Sequence, residues 1–243
     1  MSNPWKIATL IKSDMVASDV KSLTFKVENP TPHKAGQHYS VKLTAEDGYI
    51  AERDYSLANP PEETDVIEFG IQLLRNGEVS PYLFDLKPGE QIEVKGPIGG
   101  HFFWDATIDD KPLILIAGGS GMVPLRSMIL HHFQNYKKRE IILLGSYKTI
   151  DKVLYQFELA KLSEQHPEFK TVYTLTQKAP DNFSGYTRRI DSEMFDELFT
   201  PFKEKDPHIF ICGPTPFVEK AAQLMVAEGF DPQLIKTERF GGV

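Results

Sequence analysis

Leu113-Ile114-Leu115-Ile116-Ala117-Gly118-Gly119-Ser120-Gly121-Met122-Val123-Pro124 is the stretch on which the fold turns. Its apolar opening has the length of a buried strand, and glycines then reverse the chain. Beyond them Leu125, Met128, Ile129, His132 and Phe133 recur at helical spacing, which predicts a helix over 123–136. A glycine-rich turn from strand to helix lets backbone N–H groups approach an anion, and the helix start adds partial positive charge. Pro124 stands where G-x-G-x-x-G has its third glycine, and no Lys-Ser/Thr follows as in a Walker A loop.

Downstream the alternation continues. Strands are predicted over 141–144, 171–176 and 208–212, and helices over 151–162, 192–198 and 216–228. Strands alternating with helices imply right-handed crossovers and a doubly wound parallel sheet. In the last helix Thr215 can cap the start, Pro216 suits the first position, and Val218, Ala221, Ala222 and Met225 make one apolar stripe before Gly229. Upstream the pattern differs. Strand-length runs over 7–13, 22–28, 37–43, 54–58, 66–74 and 91–95 are separated by turn formers such as Asn29-Pro30, Asp47-Gly48 and Pro60-Pro61. They predict an antiparallel barrel or sandwich, with one short helix over 80–86. The expected division is an all-β domain over 1–106 and an α/β domain over 107–243.

Composition limits the chemistry. The chain has 243 residues, 41% hydrophobic and 25% charged, which fits a globular protein and excludes disorder. A net charge of −7 argues against a nucleic-acid partner. No run approaches the roughly 18 apolar residues of a membrane span. With no signal-peptide core at the N-terminus, a soluble, cytoplasmic protein is expected. A single cysteine, Cys212, excludes an internal disulfide and any cysteine-bound metal cluster. None of the seven histidines has a metal-ligand spacing, and His131 and His132 are expected on different helix faces. The basic run Lys137-Lys138-Arg139 reads as a solvated helix end.

Two further stretches bear on a ligand. After the strand over 141–144 comes Gly145-Ser146-Tyr147-Lys148, where a hydroxyl, a ring and a cation suit a 2′-phosphate. Arg188 and Arg189 add charge, although Lys148 is equally readable as a solvated loop lysine. Cys212-Gly213-Pro214 ends a strand at the carboxyl edge, where ligands of α/β sheets bind. A serine hydrolase using Ser120 is a rival, but its elbow needs G-x-S-x-G and Met122 holds the second glycine's place.

Together these features resemble the ferredoxin–NADP reductase superfamily, especially the reductase modules of flavohaemoglobins and oxygenase systems. The likeness extends over essentially the whole chain. Arg53-Asp54-Tyr55-Ser56 is similar to the family's R-x-Y-S/T. The resemblance implies that Arg53 binds the flavin pyrophosphate, Tyr55 packs on the isoalloxazine and Ser56 bonds flavin N5. Gly77-Glu78-Val79-Ser80 resembles the G-x-x-S turn over the FAD diphosphate, and the strand from Gln72 through Leu74 would lie along the flavin. Gly96-Pro97-Ile98-Gly99-Gly100-His101-Phe102 is similar to the G-P-x-G-x-F turn that closes the barrel. Gly118, Gly119, Ser120, Gly121 and Met122, with Pro124, resemble the G-G-x-G-x-x-P nicotinamide-nucleotide turn, which accounts for the proline. Cys212-Gly213-Pro214 resembles C-G-P, with the thiol near nicotinamide C4, and Glu238-Arg239-Phe240-Gly241 resembles the E-x-F-G in which the aromatic shields the flavin.

The resemblance thus implies a Greek-key barrel that binds FAD, less readily FMN, and an α/β domain that binds NAD(P)H; Lys148, Arg188 and Arg189 lean the choice toward NADPH. It implies a flavin-dependent NAD(P)H reductase in which Ser56, Cys212, Glu238 and Phe240 are catalytic. Two departures are present, Arg188 in place of a small residue before Arg189 and residues after Phe240, and with one cysteine in the sequence no attached plant-type ferredoxin domain is expected. The electron acceptor is therefore expected to be a separate ferredoxin, oxygenase, haem protein or similar molecule. A flavin-binding electron-transfer or regulatory subunit with little turnover is the alternative.

Overall fold

In the strand Val66–Gln72 every second residue is buried, and Ile67, Phe69 and Ile71 are wholly inside. A period of two puts one face of the strand on a core and the other outward. The computed structural model describes residues 4–135 and 138–241. Tyr136 at the predicted helix end and Lys137 of the basic run lie outside them.

The chain divides into two compact units, Met1–Ala106 with Arg126–Asn135, and Thr107–Leu125 with Tyr136–Val243. The first unit contains β1 (Lys6–Ala17), β2 (Val20–Val27), β3 (His38–Thr44), β4 (Ile50–Ser56), β5 (Val66–Gln72), α1 (Val79–Asp85) and β6 (Gln91–Ile98). These form a six-stranded sheet in the order β4-β3-β6-β1-β2-β5 with antiparallel pairing throughout. The step from β3 to β1 through β6 is the Greek-key crossing. A bridge between Leu57 and Phe69 brings the ends of the sheet together, so the sheet is barrel-like. The core is built from Leu10, Leu23, Phe25, Tyr39, Val41, Phe69 and Val94, with Val79 and Leu83 of α1 against it. Full burial of a ring such as Phe69 contributes about 2–3 kcal/mol. Gly96 is required by its neighbour: a Cβ there would lie 2.4 Å from the Tyr39 ring.

The second unit has β7 (Leu113–Gly118), α2 (Met122–Gln134), β8 (Ile141–Thr149), α3 (Gln156–Gln165), β9 (Phe169–Lys178), α4 (Ser192–Phe199), β10 (His208–Pro214), α5 (Thr215–Ala227) and β11 (Ile235–Phe240). Its five strands are parallel in the order β11-β10-β7-β8-β9. All six residues of β7 are buried, as a central strand covered on both faces requires. From α2, residues Arg126–Asn135 count with the first unit. There Arg126 donates to the Ala58 carbonyl and Ser127 to that of Asn59, and His131 lies 2.7 Å from a Glu62 oxygen.

Several local expectations need correction. Thr215 does not cap α5: it is the first helical residue, and its hydroxyl donates to the Gly241 carbonyl. The other end follows expectation. Gly229 at φ 91° lets its own N–H reach the Val226 carbonyl while Phe230 N–H reaches that of Met225. The helix predicted over 151–162 starts late, because Tyr155 takes a left-handed φ of 54° and α3 begins after it. Arg139 is not solvated: it is buried and donates to the Asp109 carboxylate and the Lys111 carbonyl. His131 and His132, expected on different helix faces, are both buried. Strand β11 was not foreseen.

Candidate functional site

Two clusters carry the predicted site residues, one in each unit. In the first, β4 presents Arg53, Tyr55 and Ser56. Alternation puts Ala51, Arg53 and Tyr55 on one face. Tyr55 is half-buried with its ring 6.0 Å from that of Phe69, and burial pushes its phenol up to about 12. Arg53 stays largely exposed; one nitrogen donates to the Glu52 carbonyl at 2.7 Å and another to Glu78 at 3.1 Å. Ser56 ends the strand opposite His38, whose imidazole is held below its usual range by burial.

The Gly77 turn is tightly made. Its N–H donates to the Leu74 carbonyl, and the Ser80 hydroxyl accepts from Leu74 N–H at 3.0 Å. A Cβ on Gly77 would stand 3.1 Å from that carbonyl, so the glycine serves the turn itself. Ser80 is buried within the turn and the Val79 side chain is in the core. Gln72 donates to Asp19, and Leu74 is exposed. Glu78, which sequence reasoning did not single out, is held by both Arg53 and the Tyr49 hydroxyl. The signal was its place inside the quoted turn.

In the second unit the strand order reverses at β7: β8 and β9 extend one way, β10 and β11 the other. The carboxyl end of such a switch point is where ligands of open α/β sheets bind. Gly118, Gly119, Ser120, Gly121 and Met122 lie there beside Cys212, Gly213 and Pro214. The glycines differ in purpose. A Cβ on Gly121 would fall 2.1 Å from the Cys212 carbonyl oxygen, and one on Gly118 would enter the Phe217 ring, so both permit close packing. Gly119 has a φ of 54° and open space above it, leaving a cradle for a ligand. Met122, which holds the place of the elbow's second glycine, is fully buried.

Parallel register brings Glu238 opposite Cys212 and Phe240 opposite Pro214. Cys212 is 1% exposed. Burial raises its thiol well above the ordinary range, and the Glu238 charge adds to this. The thiol is therefore neutral at physiological pH. Phe240 is exposed at the end of β11. Lys148 is exposed at the end of β8, whereas Tyr147 is buried and cannot offer its ring to a nucleotide. Arg188 is committed to Asp191 at 2.6 Å and Glu193 at 3.0 Å, which leaves the exposed Arg189 and Lys148 as the available cations. No group of three or more His, Cys, Asp or Glu among the described residues could hold a metal. No helix among them is long and apolar enough to cross a membrane.

Residues 7–104 match the family of oxidoreductase FAD-binding domains and residues 115–223 that of oxidoreductase NAD-binding domains. The chain belongs to the ferredoxin–NADP reductase superfamily. Within it, the chain is 33% identical over 227 residues to the reductase component DmpP of phenol 2-monooxygenase from Pseudomonas sp. (strain CF600), covering 91% of this chain and 61% of that one. It is 30% identical to NADH-cytochrome b5 reductase 1 of Scheffersomyces stipitis, covering 80% and 68%. The fold is shared with the FAD/NAD-binding domain of nitric oxide dioxygenase from Vibrio cholerae O1 biovar El Tor, with a TM-score of 0.86, 21% identity and full coverage of both chains. The chain thus spans less than two thirds of the phenol monooxygenase relative's length. The first unit fits the flavin this superfamily uses. An exposed guanidinium suits a diphosphate, and a neutral phenol ring with a strand-end hydroxyl suits a flat heterocycle with a protonatable nitrogen.

Proposed function

We propose that this chain is an FAD-dependent NAD(P)H oxidoreductase that takes hydride from NAD(P)H at flavin N5 and passes electrons to a separate acceptor protein. The observation that carries the reading is the placement of Arg53 and Tyr55 on one face of β4 with Ser56 at its end. Bound flavin supplies the chemistry that links a two-electron donor to a one-electron acceptor. The chain supplies binding and orientation. Arg53 exchanges the single carboxylate of Glu78 for a diphosphate, which its planar fork pairs more strongly. Tyr55 stays protonated, since its phenol titrates only near about 12. Ser56 donates or accepts a hydrogen bond as the protonation of N5 changes.

In the second unit Gly119 gives the nucleotide diphosphate a main-chain cradle at the start of α2. Cys212, kept as a neutral thiol, and Glu238 beside it set the nicotinamide surroundings. Lys148 and Arg189 support use of NADPH alongside NADH. That a relative is named as the reductase component of a phenol monooxygenase supports an oxygenase as acceptor.

The test is to purify the protein, record its visible spectrum and titrate it anaerobically with NADH and, separately, NADPH. A yellow protein bleached by either nucleotide is expected. A colourless protein that takes up no added flavin overturns the proposal.

A further inference from the structure

The chain leaves the first unit at Ala106 and enters β7 at Leu113. A histidine takes hold of this connection near each end. At the start, the Ala106 N–H donates to Nε2 of His131 at 3.1 Å. A main-chain N–H can only donate, so Nε2 is unprotonated and Nδ1 carries the ring's proton. That proton is directed at a Glu62 oxygen 2.7 Å away. At the far end, Nε2 of His208 lies 2.8 Å from an Asp109 oxygen, and Asp109 also accepts from the Lys111 N–H at 3.0 Å. The two imidazoles therefore play opposite parts. His131 is an acceptor for the connection and His208 a donor to it.

We infer that the connection is a pH-sensitive clasp that opens at one end: protonation of His131 releases Ala106 in mild acid, while the contact of His208 with Asp109 persists. A proton from solvent can add only at Nε2, and the ring then has no lone pair for Ala106. Imidazole is the side chain whose charge ordinarily changes between about pH 5 and 8. The groups facing His131 favour its cation. Glu62 accepts from Nδ1, and an Asp105 oxygen 3.9 Å from Nε2 is placed to receive the new N–H. Asn135 donates to Glu62 and to the His131 carbonyl, and the Trp104 ring packs against both His131 and His132. His33, the other histidine near Glu62, brings no competing charge, since burial holds its imidazole below the ordinary range. At His208, protonation strengthens a bond already made. Desolvation opposes the charge on Asp109, yet His208, the Lys111 N–H and Arg139 bring its carboxyl below the ordinary range. The other charges there are Lys111, paired with Asp206, and Asp110 near Arg139.

The test is amide hydrogen exchange on the purified full chain, resolved by NMR at about pH 8 and about pH 5.5, on either side of the ordinary imidazole range. Rates are corrected for the intrinsic pH dependence of exchange. Protection of the Ala106 amide is expected to fall about tenfold at the lower pH, the value of one hydrogen bond, while that of the Lys111 amide holds. His131→Gln keeps an oxygen acceptor but takes up no proton, so its Ala106 protection is expected to be equal at both pH values. Unchanged Ala106 protection in the wild type, an equal fall at Lys111, or the same fall in His131→Gln overturns the clasp. None of these outcomes bears on flavin binding, which the inference does not use.

Discussion

Cys212 and Glu238 face each other across the parallel β10–β11 pair, so the chain's single thiol and a carboxylate share the carboxyl end of one sheet. The pairing has an electrostatic consequence. A thiolate at Cys212 would be both desolvated and next to a negative charge, and each disfavours it.

Stability should therefore fall in alkali because of this thiol. Its folded pKa lies above the ordinary value of 9.0, so the native state holds the proton more tightly than the unfolded chain. The contribution is complete below the unfolded pKa and is lost as pH rises from there through the folded pKa. Urea unfolding at about pH 8 and about pH 10 should show wild type losing more stability than Cys212→Ala over that interval. Equal losses would mean that the thiol is not desolvated.

Arg126 and Glu68 form a largely buried ion pair at 3.1 Å, with side-chain exposures of 11% and 13%. Arg126 also donates to the Ala58 carbonyl, and Ser22 bonds the other Glu68 oxygen. Arg126→Ala strands a buried carboxylate and is expected to cost about 3–5 kcal/mol in equilibrium urea unfolding. The double change Arg126→Met with Glu68→Met should recover most of that loss, since no charge is then left buried.

Ser56→Ala removes a hydroxyl from the end of β4 without disturbing the strand ladder. The protein should retain flavin yet be reduced by NADH or NADPH about tenfold more slowly, the value of one hydrogen bond. Anaerobic stopped flow measures this directly. An unchanged rate would remove Ser56 from the mechanism.

Lys148→Ala tests the choice of nucleotide. Because the side chain is exposed, folding should be unaffected. KM for NADPH is expected to rise roughly tenfold through loss of one charge-assisted contact, with KM for NADH unchanged. Parallel changes for both nucleotides would deny Lys148 a role at the 2′-phosphate.

Local pattern made much of this protein legible. The apolar run of β7, the glycines after it, the helical spacing of α2 and the Gly229 stop of α5 depend on a few neighbouring residues and on backbone preferences those residues carry anywhere. Arg53, Tyr55 and Ser56 could be read together because a strand's period of two is a local property. Less legible were features that depend on a distant partner. The β11 strand has no buried residue and no apolar run, and becomes a strand by hydrogen bonding to β10. Arg139 reads as a solvated end in a basic run, yet Asp109 and the Lys111 carbonyl compensate its burial.

The sequence by itself therefore determined the order of strands and helices as far as α5 and the glycine turns, because these follow from steric and hydrophobic periods a few residues long. Tertiary structure alone decided that Arg188 is neutralised by Asp191 and Glu193, that Tyr147 is hidden, that Glu78 bridges Arg53 and Tyr49, and that Cys212 is a neutral thiol beside Glu238. Charge and protonation depend on desolvation and on groups brought close from elsewhere in the chain, and only the folded chain specifies those distances.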